Sequence, residues 1–308
     1  MNISRLILTA AIALGLPALA QTHSDTYLAG VVQHPATNIP PVQVVSRFTL
    51  PLMSGGVNDF SGIASTDGQT VMLLSDHGFI VTGRLQRGYN QQITGFDLRQ
   101  VSVLTDERGT ALTGALHDSE GLAIGADGAL YVSFEQHNRV LRYSRLGAPG
   151  VPLGAHEDFA RLRAGRGLEA LAVARDGTLY AIPERAARAT YGFPSYRLQR
   201  GEWTGSFRLP MDGTYLPVAA DFGPDGLLYV LERDGLGNSL RSQVRRFGIN
   251  GRAISSPVVV MRSEAGQFGN LEGLSVYRDW NGRIRLLMVS DDDRGVGRSE
   301  IVDVVLNR

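Results

Sequence analysis

A repeated strand–turn–strand pattern is the feature that most constrains the fold of this chain. Its five copies are spaced 49 to 59 residues apart and open at Ser61, Glu120, Glu169, Val218 and Glu272. Each copy reads as a short apolar strand, an Asp-Gly or Asn-Gly turn, and a second strand rich in β-branched and aromatic residues. A period of this length is typical of propeller blades or solenoid units.

Further strand-like runs follow the hairpins, so each repeat supplies about four strands, as in a propeller blade. These runs are Val140–Tyr143, Ser195–Leu198, Gln243–Phe247 and Pro257–Met261. The last repeat has only a third strand, Glu300–Leu306, whereas Val42–Leu50 is a strand without a repeat of its own. Pairing these two strands would close the ring. We predict an all-β propeller of five four-stranded blades closed by the N-terminal strand; a sixth blade within Gln86–Ala115 is the alternative.

The N-terminus predicts export. Residues 1–20 contain a single positive charge at Arg5, an apolar stretch from Leu6 to Leu16 and the triplet Ala18-Leu19-Ala20. This is the layout of a cleavable signal peptide, with cleavage expected after Ala20. Residues 21–41 then form an N-terminal extension and residues 42–308 a single propeller domain. The mature protein is expected in the periplasm or outside the cell, with no membrane contact after cleavage.

Composition excludes several classes of function. The 30 basic residues balance 30 acidic ones, so no basic stripe for nucleic acid is expected. All basic residues are arginines, which excludes a lysine nucleophile, and the lack of cysteine excludes disulfides and thiolate metal sites. No Gly-x-Ser-x-Gly or His-Glu-x-x-His motif is present, which argues against a serine hydrolase or a zinc protease.

Acidic residues recur at two positions of the repeat. In a propeller, the start of each first strand and the end of each second strand meet on one face of the disc. The acids at these positions are Asp76, Glu120, Glu135, Glu169, Glu184, Glu272 and Asp291. Any one of them could cap a turn or pair with an arginine, but together they would repel one another unless a cation neutralised them. Because Ca²⁺ prefers six to eight oxygen ligands, we predict a calcium site at this mouth.

The fourth repeat departs from the acidic pattern. Val218 replaces the opening acid, and Glu232 falls one residue early, so that it should face away from the mouth. Arg233 takes the expected register, and Arg185 and Arg294 lie at comparable strand ends. We predict that these arginines bind the anionic group of a small-molecule substrate. The alternative for each is an ordinary salt bridge, such as Arg233 with Asp234.

Two histidines follow second-strand acids and are candidate catalytic residues. His77 comes directly after Asp76, and His137 lies two residues beyond Glu135. Imidazole can give or take a proton near neutral pH, so either could be a general acid or base. His117, just before the second repeat, is a weaker candidate of the same kind.

The motifs resemble a known family. They include Ser61-Gly-Ile-Ala, Leu74-Ser-Asp-His-Gly78, Glu120-Gly-Leu-Ala, Ala181-Ile-Pro-Glu184 and Asn270-Leu-Glu-Gly-Leu274. Over roughly Val42 to Leu306 the chain resembles the phytase-like family of exported bacterial proteins, described as having esterase-like activity of phytase. The resemblance implies a propeller and hydrolysis of phosphoesters or esters. Calcium-dependent propeller phytases hold phosphate at a mouth rich in carboxylates and lysines, and this chain has no lysine.

The leading functional prediction is therefore an exported, calcium-dependent hydrolase of phosphoester or ester substrates at a carboxylate-lined channel mouth. A calcium-dependent lactonase is a second enzymatic possibility. From a different class, the mouth could bind a ligand or partner without turnover, the cation serving only stability.

Overall fold

The computed structural model describes residues 42–53, 57–162, 165–185, 191–236, 239–291 and 298–306. The predicted signal peptide, the N-terminal extension and Arg294 lie outside these residues. Within the described ranges, no helix is both long enough and apolar enough to cross a membrane.

The described strands form five antiparallel four-stranded sheets, one for each sequence repeat. Blade one contains β2 (Phe60–Ala64), β3 (Thr70–Ser75), β4 (Phe79–Arg87) and β5 (Ile93–Val103). Blade two contains β6 (Ser119–Ile124), β7 (Leu130–Phe134), β8 (Arg139–Tyr143) and β9 (Gly150–Pro152). Blade three contains β10 (Leu168–Val173), β11 (Leu179–Pro183), β12 (Phe193–Gln199) and β13 (Glu202–Leu209).

Blade four contains β14 (Leu216–Phe222), β15 (Leu228–Asp234), β16 (Arg241–Phe247) and β19 (Val258–Arg262). Blade five contains β20 (Asn270–Arg278), β21 (Ile284–Asp291), β22 (Glu300–Val305) and β1 (Gln43–Thr49). A small hairpin inserted in blade four contains β17 (Ile249–Asn250) and β18 (Ala253–Ile254). Two short 3₁₀ helices are Gly114–Leu116 and Glu157–Arg161.

The N-terminal strand closes the ring, as predicted. Strand β1 pairs antiparallel with β22, with Thr49 opposite Glu300, and so completes blade five. The innermost strands β2, β6, β10, β14 and β20 contact one another around the ring. The interval 86–115 holds the second half of the long β4–β5 hairpin and a 3₁₀ turn, so the alternative of a sixth blade is wrong.

The turn between the first and second strands needs a left-handed residue in every blade, and glycine supplies it. The backbone φ is +68° at Gly68, +78° at Gly128, +83° at Gly177, +80° at Gly226 and +76° at Gly282. A side chain at these angles would strain the backbone, so the repeated Asp-Gly and Asn-Gly pairs fix where each hairpin turns.

The hydrophobic core lies between the blades. Among the described residues, buried apolar side chains form five clusters, each at the interface of two neighbouring blades. Second strands are covered on both faces, and every residue of β11 (Leu-Tyr-Ala-Ile-Pro) is buried. This explains why second strands read as continuous apolar runs rather than as alternating ones.

Neighbouring innermost strands approach closely around the channel. A Cβ added at Gly121 would lie 2.5 Å from the Glu169 carbonyl oxygen, and one at Gly273 would lie 2.7 Å from the Ile63 nitrogen. Neither position has room for a side chain. The small residue that follows each opening position therefore lets five blades close around a narrow channel.

A buried ion network ties blade five to blade one at the point of closure. Asp303 of β22 accepts hydrogen bonds from Arg87 Nη1 at 2.6 Å and from Arg285 Nη2 at 2.7 Å. The side chains of Asp303 and Arg285 are 0 % and 1 % exposed. Because Arg87 comes from β4 of blade one, this carboxylate joins the first and last blades.

We expect Asp303→Asn to lower the free energy of unfolding by about 3–5 kcal/mol, because it removes the counter-ion of the buried Arg87 and leaves the buried Arg285 only the more distant Asp279, at 3.8 Å. The matched control is Glu300→Gln on the same strand, which removes the half-exposed Arg47–Glu300 pair and should cost less than about 1 kcal/mol. Urea denaturation followed by circular dichroism measures both. Equal effects of the two substitutions would show that the buried network does not hold the closure.

Candidate metal centre

Every innermost strand contains one residue that has no partner in the neighbouring strand, and this residue is the opening position of the repeat. The register between the first two strands shifts at Ser61, Glu169, Val218 and Glu272, and across Glu120-Gly121 in blade two. Such β-bulges bend the strand and turn a side chain out of the regular alternation. Glu120, Glu169 and Glu272 thereby line the channel mouth.

The second-strand acids are placed by a repeated backbone contact. The backbone N–H of Asp76 donates to the Asp59 carbonyl at 3.0 Å, that of Glu135 to Asp118 at 3.2 Å and that of Glu184 to Gly167 at 3.0 Å. Each acceptor lies two residues before the bulge of its own blade. In blade five, Asp291 pairs with Asn270, also two residues before the bulge. The predicted equivalence of these four acids is therefore a property of the strand register.

All seven predicted acids line one wide cavity of about 1750 Å³ at this mouth. A smaller cavity of about 670 Å³ opens at the other mouth, where burial raises the pKa of Asp221 to about 7 and its carboxylate accepts the Val276 backbone N–H at 2.7 Å. Between the two mouths, the channel contains a cavity of only about 10 Å³. At the smaller mouth, the Asp221 carboxylate is engaged in a hydrogen bond that joins blades four and five. The wide mouth, which the seven acids line, is therefore the candidate site.

Three acids of blade two are close enough to share one cation. Asp118, Glu120 and Glu135 each offer a carboxylate oxygen, and these three oxygens all lie within 4.8 Å of one another. Two oxygens that each lie about 2.4 Å from one Ca²⁺ ion can be at most about 4.8 Å apart, so the separation suits a single ion. The donor set is all oxygen, which fits Ca²⁺ and excludes soft metals.

Burial and crowding shift the protonation of these acids. Burial, together with the charge of Glu272, raises the pKa of Asp76 to about 8. Burial and the charges of neighbouring glutamates raise the pKa values of Glu120 and Glu169 well above the ordinary range. Burial also raises the pKa of Glu135. Without a cation, these carboxyls keep protons that free carboxyls lose near pH 4.

Asp76 carries a further sign of an absent partner. Its Oδ1 atom is buried and has no hydrogen-bond partner in the described part of the chain. Buried polar atoms are nearly always satisfied, so an orphaned carboxylate oxygen in a cavity indicates a ligand, a water or an ion. The residues present therefore fit a hard cation at this mouth.

Comparison with known proteins adds the family. A sequence model described as phytase-like, esterase-like activity of phytase, matches residues 55–294. The chain belongs to this phytase-like family. Among curated proteins, no sequence matches the chain.

Solved propellers resemble the phytase-like chain only weakly. Virginiamycin B lyase from Staphylococcus aureus is 13 % identical with a TM-score of 0.43, over 85 % of this chain and 99 % of that one. The calcium-binding protein regucalcin from Agrobacterium tumefaciens is 13 % identical with a TM-score of 0.44, over 84 % and 79 %. A gluconolactonase from Xanthomonas campestris is 13 % identical with a TM-score of 0.45, over 86 % and 90 %.

The wide mouth of this phytase-like chain contains an arginine, Arg233, that pairs with two of its acids. Arg233 Nη1 lies 2.6 Å from Glu272 Oε1, and Nη2 lies 3.6 Å from Glu184 Oε1. The expected alternative, a pair with Asp234, is not formed among the described residues. Glu232 faces away from the mouth, as predicted, and forms a buried pair with Arg245. Arg185 lines the cavity and is exposed.

The predicted catalytic histidines lie outside the lining of the cavity as far as it is described. His77 Nε2 lies 2.9 Å from Asp59 Oδ2, and the His77 ring meets the His117 ring edge-on at 5.9 Å. His137 is exposed, and its carbonyl accepts a hydrogen bond from Arg139 at 3.0 Å. The catalytic role of His77 and His137 stays a prediction that this geometry does not favour.

Sequence reasoning missed Asp118. The signal was the spacing, since Asp118 lies two residues before Glu120, directly ahead of strand β6, and residues at this spacing share a face of a regular strand. The corresponding position in blade one is Asp59, which adopts a left-handed φ of +50°. Asp59 and Asp118 thus occupy the same position in their blades, two residues before the bulge residues Ser61 and Glu120.

The free energy of unfolding in the presence of a chelator is expected to fall as pH rises from about 5 to 8. Raised pKa values mean that the folded state binds more protons than the unfolded chain, so stability is lost as pH rises through the folded values. Asp76→Asn should make this slope shallower by up to about 1.4 kcal/mol per pH unit, the contribution of one proton. Urea midpoints measured across the pH range test this.

The control is Asp127→Asn, an exposed carboxyl whose pKa is lowered by hydrogen bonds from the Ala129 backbone and from Arg142. It should leave the slope between pH 5 and 8 unchanged. Identical slopes for the wild-type protein and Asp76→Asn would contradict the crowding of acids at the mouth.

Proposed function

We propose that this chain is an exported, calcium-dependent hydrolase that cleaves an ester or phosphoester at the wide channel mouth. The observation that carries the proposal is the trio Asp118, Glu120 and Glu135, whose oxygens lie within 4.8 Å of one another. The family description supports ester hydrolysis. The sequence of residues 1–20 supports export, for which we expect a mature chain beginning at Gln21 in periplasmic or secreted material.

Asp118, Glu120 and Glu135 would hold the cation. Once bound, Ca²⁺ would act as a Lewis acid toward the carbonyl or phosphoryl oxygen of the substrate. Glu135 is further oriented by the Gly167 backbone N–H, which donates to Glu135 Oε2 at 3.2 Å. This contact comes from blade three and stiffens the blade-two acids, as a well-positioned ligand requires.

Asp76 is the best-placed group to take a proton from the attacking water. Its Oδ1 atom is buried at the mouth without a hydrogen-bond partner among the described residues, so it is available as an acceptor. The Asp76 carboxyl would ionise more readily beside a bound cation, because opposite charge lowers the pKa of a carboxyl. An acceptor whose pKa approaches neutrality suits general-base catalysis.

The lining of the cavity favours an organic ester over a highly charged phosphate. Nine of its described residues are acidic and five are arginines, so acidic side chains outnumber cationic ones at the mouth. Apolar side chains complete the wall on the side of blade four, where Met211 is 50 % exposed and Leu236 is 87 % exposed. Such a wall fits an apolar group of the substrate, whereas inositol hexakisphosphate would meet repulsion.

Arginines of the lining could receive a single anionic group of such an ester. Arg185 and Arg298 line the cavity, and no ion pair involves either of them within the part of the chain that is described. Guanidinium groups bind carboxylates and phosphates with two parallel hydrogen bonds. In this proposal Arg185 binds the anionic group, as expected from the sequence, and Arg294 is a further candidate on sequence alone.

Substitutions of Glu135, a proposed ligand of the cation, and of Asp76, the proposed general base, should separate cation binding from catalysis. Glu135→Gln should weaken Ca²⁺ binding more than tenfold, since it removes a ligand of the ion. Asp76→Asn should leave most of the affinity and lower kcat by about 10²-fold or more, the usual effect of losing a general base. Calorimetry measures binding, and 4-nitrophenyl butyrate, 4-nitrophenyl phosphate and a δ-lactone measure turnover.

The control is Glu202→Gln, an exposed acid on β13 away from the cavity lining, which should change neither quantity. Turnover of the lactone alone would identify a lactonase. If Ca²⁺ binds and none of the three substrates is hydrolysed, the hydrolase is refuted in favour of a binding propeller with a structural cation. Absence of calcium binding would refute the metal centre.

A further inference from the structure

Blade four places a cationic side chain where the other blades place an acid. Arg233 pairs with Leu216, two residues before the bulge at Val218. In blade five the same register joins Asp291 to Asn270, two residues before the bulge at Glu272. The ring of carboxylates is therefore interrupted by one guanidinium at an equivalent backbone position.

The guanidinium contacts acids from both neighbouring blades. Its Nη1 atom donates to Glu272 Oε1 and to Asn270 Oδ1, each at 2.6 Å, while Asn270 Nδ2 also donates to Glu272 Oε1 at 2.7 Å. Its Nη2 atom lies 3.6 Å from Glu184 Oε1. The side chains of Glu184 and Glu272 are only 7 % and 14 % exposed, so solvent screens these contacts weakly.

The acids of the mouth thus form two groups. Glu184 of blade three and Glu272 of blade five share the charge of Arg233, and Glu184 Oε2 also lies 3.8 Å from Nη1 of the more exposed Arg166. Asp118, Glu120 and Glu135 form no ion pair with an arginine in the described ranges, and their oxygens are mutually close. A divalent cation beside Glu184 or Glu272 would be repelled by the guanidinium, whereas one at the blade-two trio would not.

We propose that Arg233 is a built-in counter-cation that confines the mouth to a single divalent-cation site at blade two. The inference rests on the proposed calcium centre and assigns Arg233 a positioning role rather than contact with the ion. Glu184 and Glu272, predicted from sequence as metal ligands, hold this guanidinium instead. Substituting a neutral side chain for Arg233 should remove the positive charge that lies between two buried acids and so create a second cation site.

Binding stoichiometry tests the proposal directly. Calorimetry with Ca²⁺ and terbium luminescence should give one site in the wild-type protein and a second, weaker site in Arg233→Gln. The second site should disappear again in Arg233→Gln/Glu272→Gln. Arg185→Gln, which removes an exposed arginine of the same cavity, is the control and should leave one site. Arg233→Lys, which keeps a positive charge, should also leave one site.

If Arg233→Gln does not fold, a second variant still tests the proposal. Glu272→Gln in the presence of Arg233 should keep the Kd for Ca²⁺ within about twofold, because Glu272 is not a ligand of the ion, whereas Glu135→Gln should raise it more than tenfold. One site in folded Arg233→Gln, or a tenfold loss of affinity in Glu272→Gln, would overturn the proposal. No binding to the wild-type protein would instead refute the calcium centre on which it rests.

Discussion

The bulge at the start of every innermost strand is the constraint on which the rest of this propeller depends. Five strands crowd around a channel so narrow that neither Gly121 nor Gly273 has room for a Cβ. A regular strand would direct its opening side chain according to the simple alternation of faces. The extra residue changes that direction, so that large acidic side chains such as Glu120 and Glu169 reach the mouth.

Crowded acids then require compensating charge, and the chain supplies it unevenly. On one side, Arg233 lies between Glu184 and Glu272. On the other side, the blade-two trio has no arginine within ion-pair distance in the described ranges, and the pKa values of Glu120 and Glu135 are raised by burial. Either protons or a cation must offset the repulsion there. A bound divalent cation would also supply chemistry, because it would polarise an oxygen of an ester substrate.

Much of the fold could be predicted because its determinants are local. Asp-Gly and Asn-Gly turns fix each hairpin, and a leftover strand at each end of the repeats implies closure by pairing of β1 with β22. The register that groups Asp76, Glu135 and Glu184 follows from counting after the turns. These features depend on short stretches of backbone geometry, which residue type alone can indicate.

The details of the site could not be predicted in the same way. A bulge leaves no distinct residue pattern, so the sequence does not show that Glu120 leaves the regular alternation. Whether Arg233 pairs with Asp234 of its own strand or across blades depends on the distance between blades. His77 follows an acid at the mouth in sequence, but its ring lies against Asp59 and outside the lining of the cavity.

Anomalous diffraction from crystals soaked in terbium(III), a substitute for Ca²⁺, tests the central claim most directly. The account predicts one strong peak within about 2.3–2.6 Å of carboxylate oxygens of Asp118, Glu120 and Glu135, with Arg233 still bound to Glu272. A peak held by Glu184 and Glu272 with Arg233 displaced, or no peak at this mouth, would contradict it.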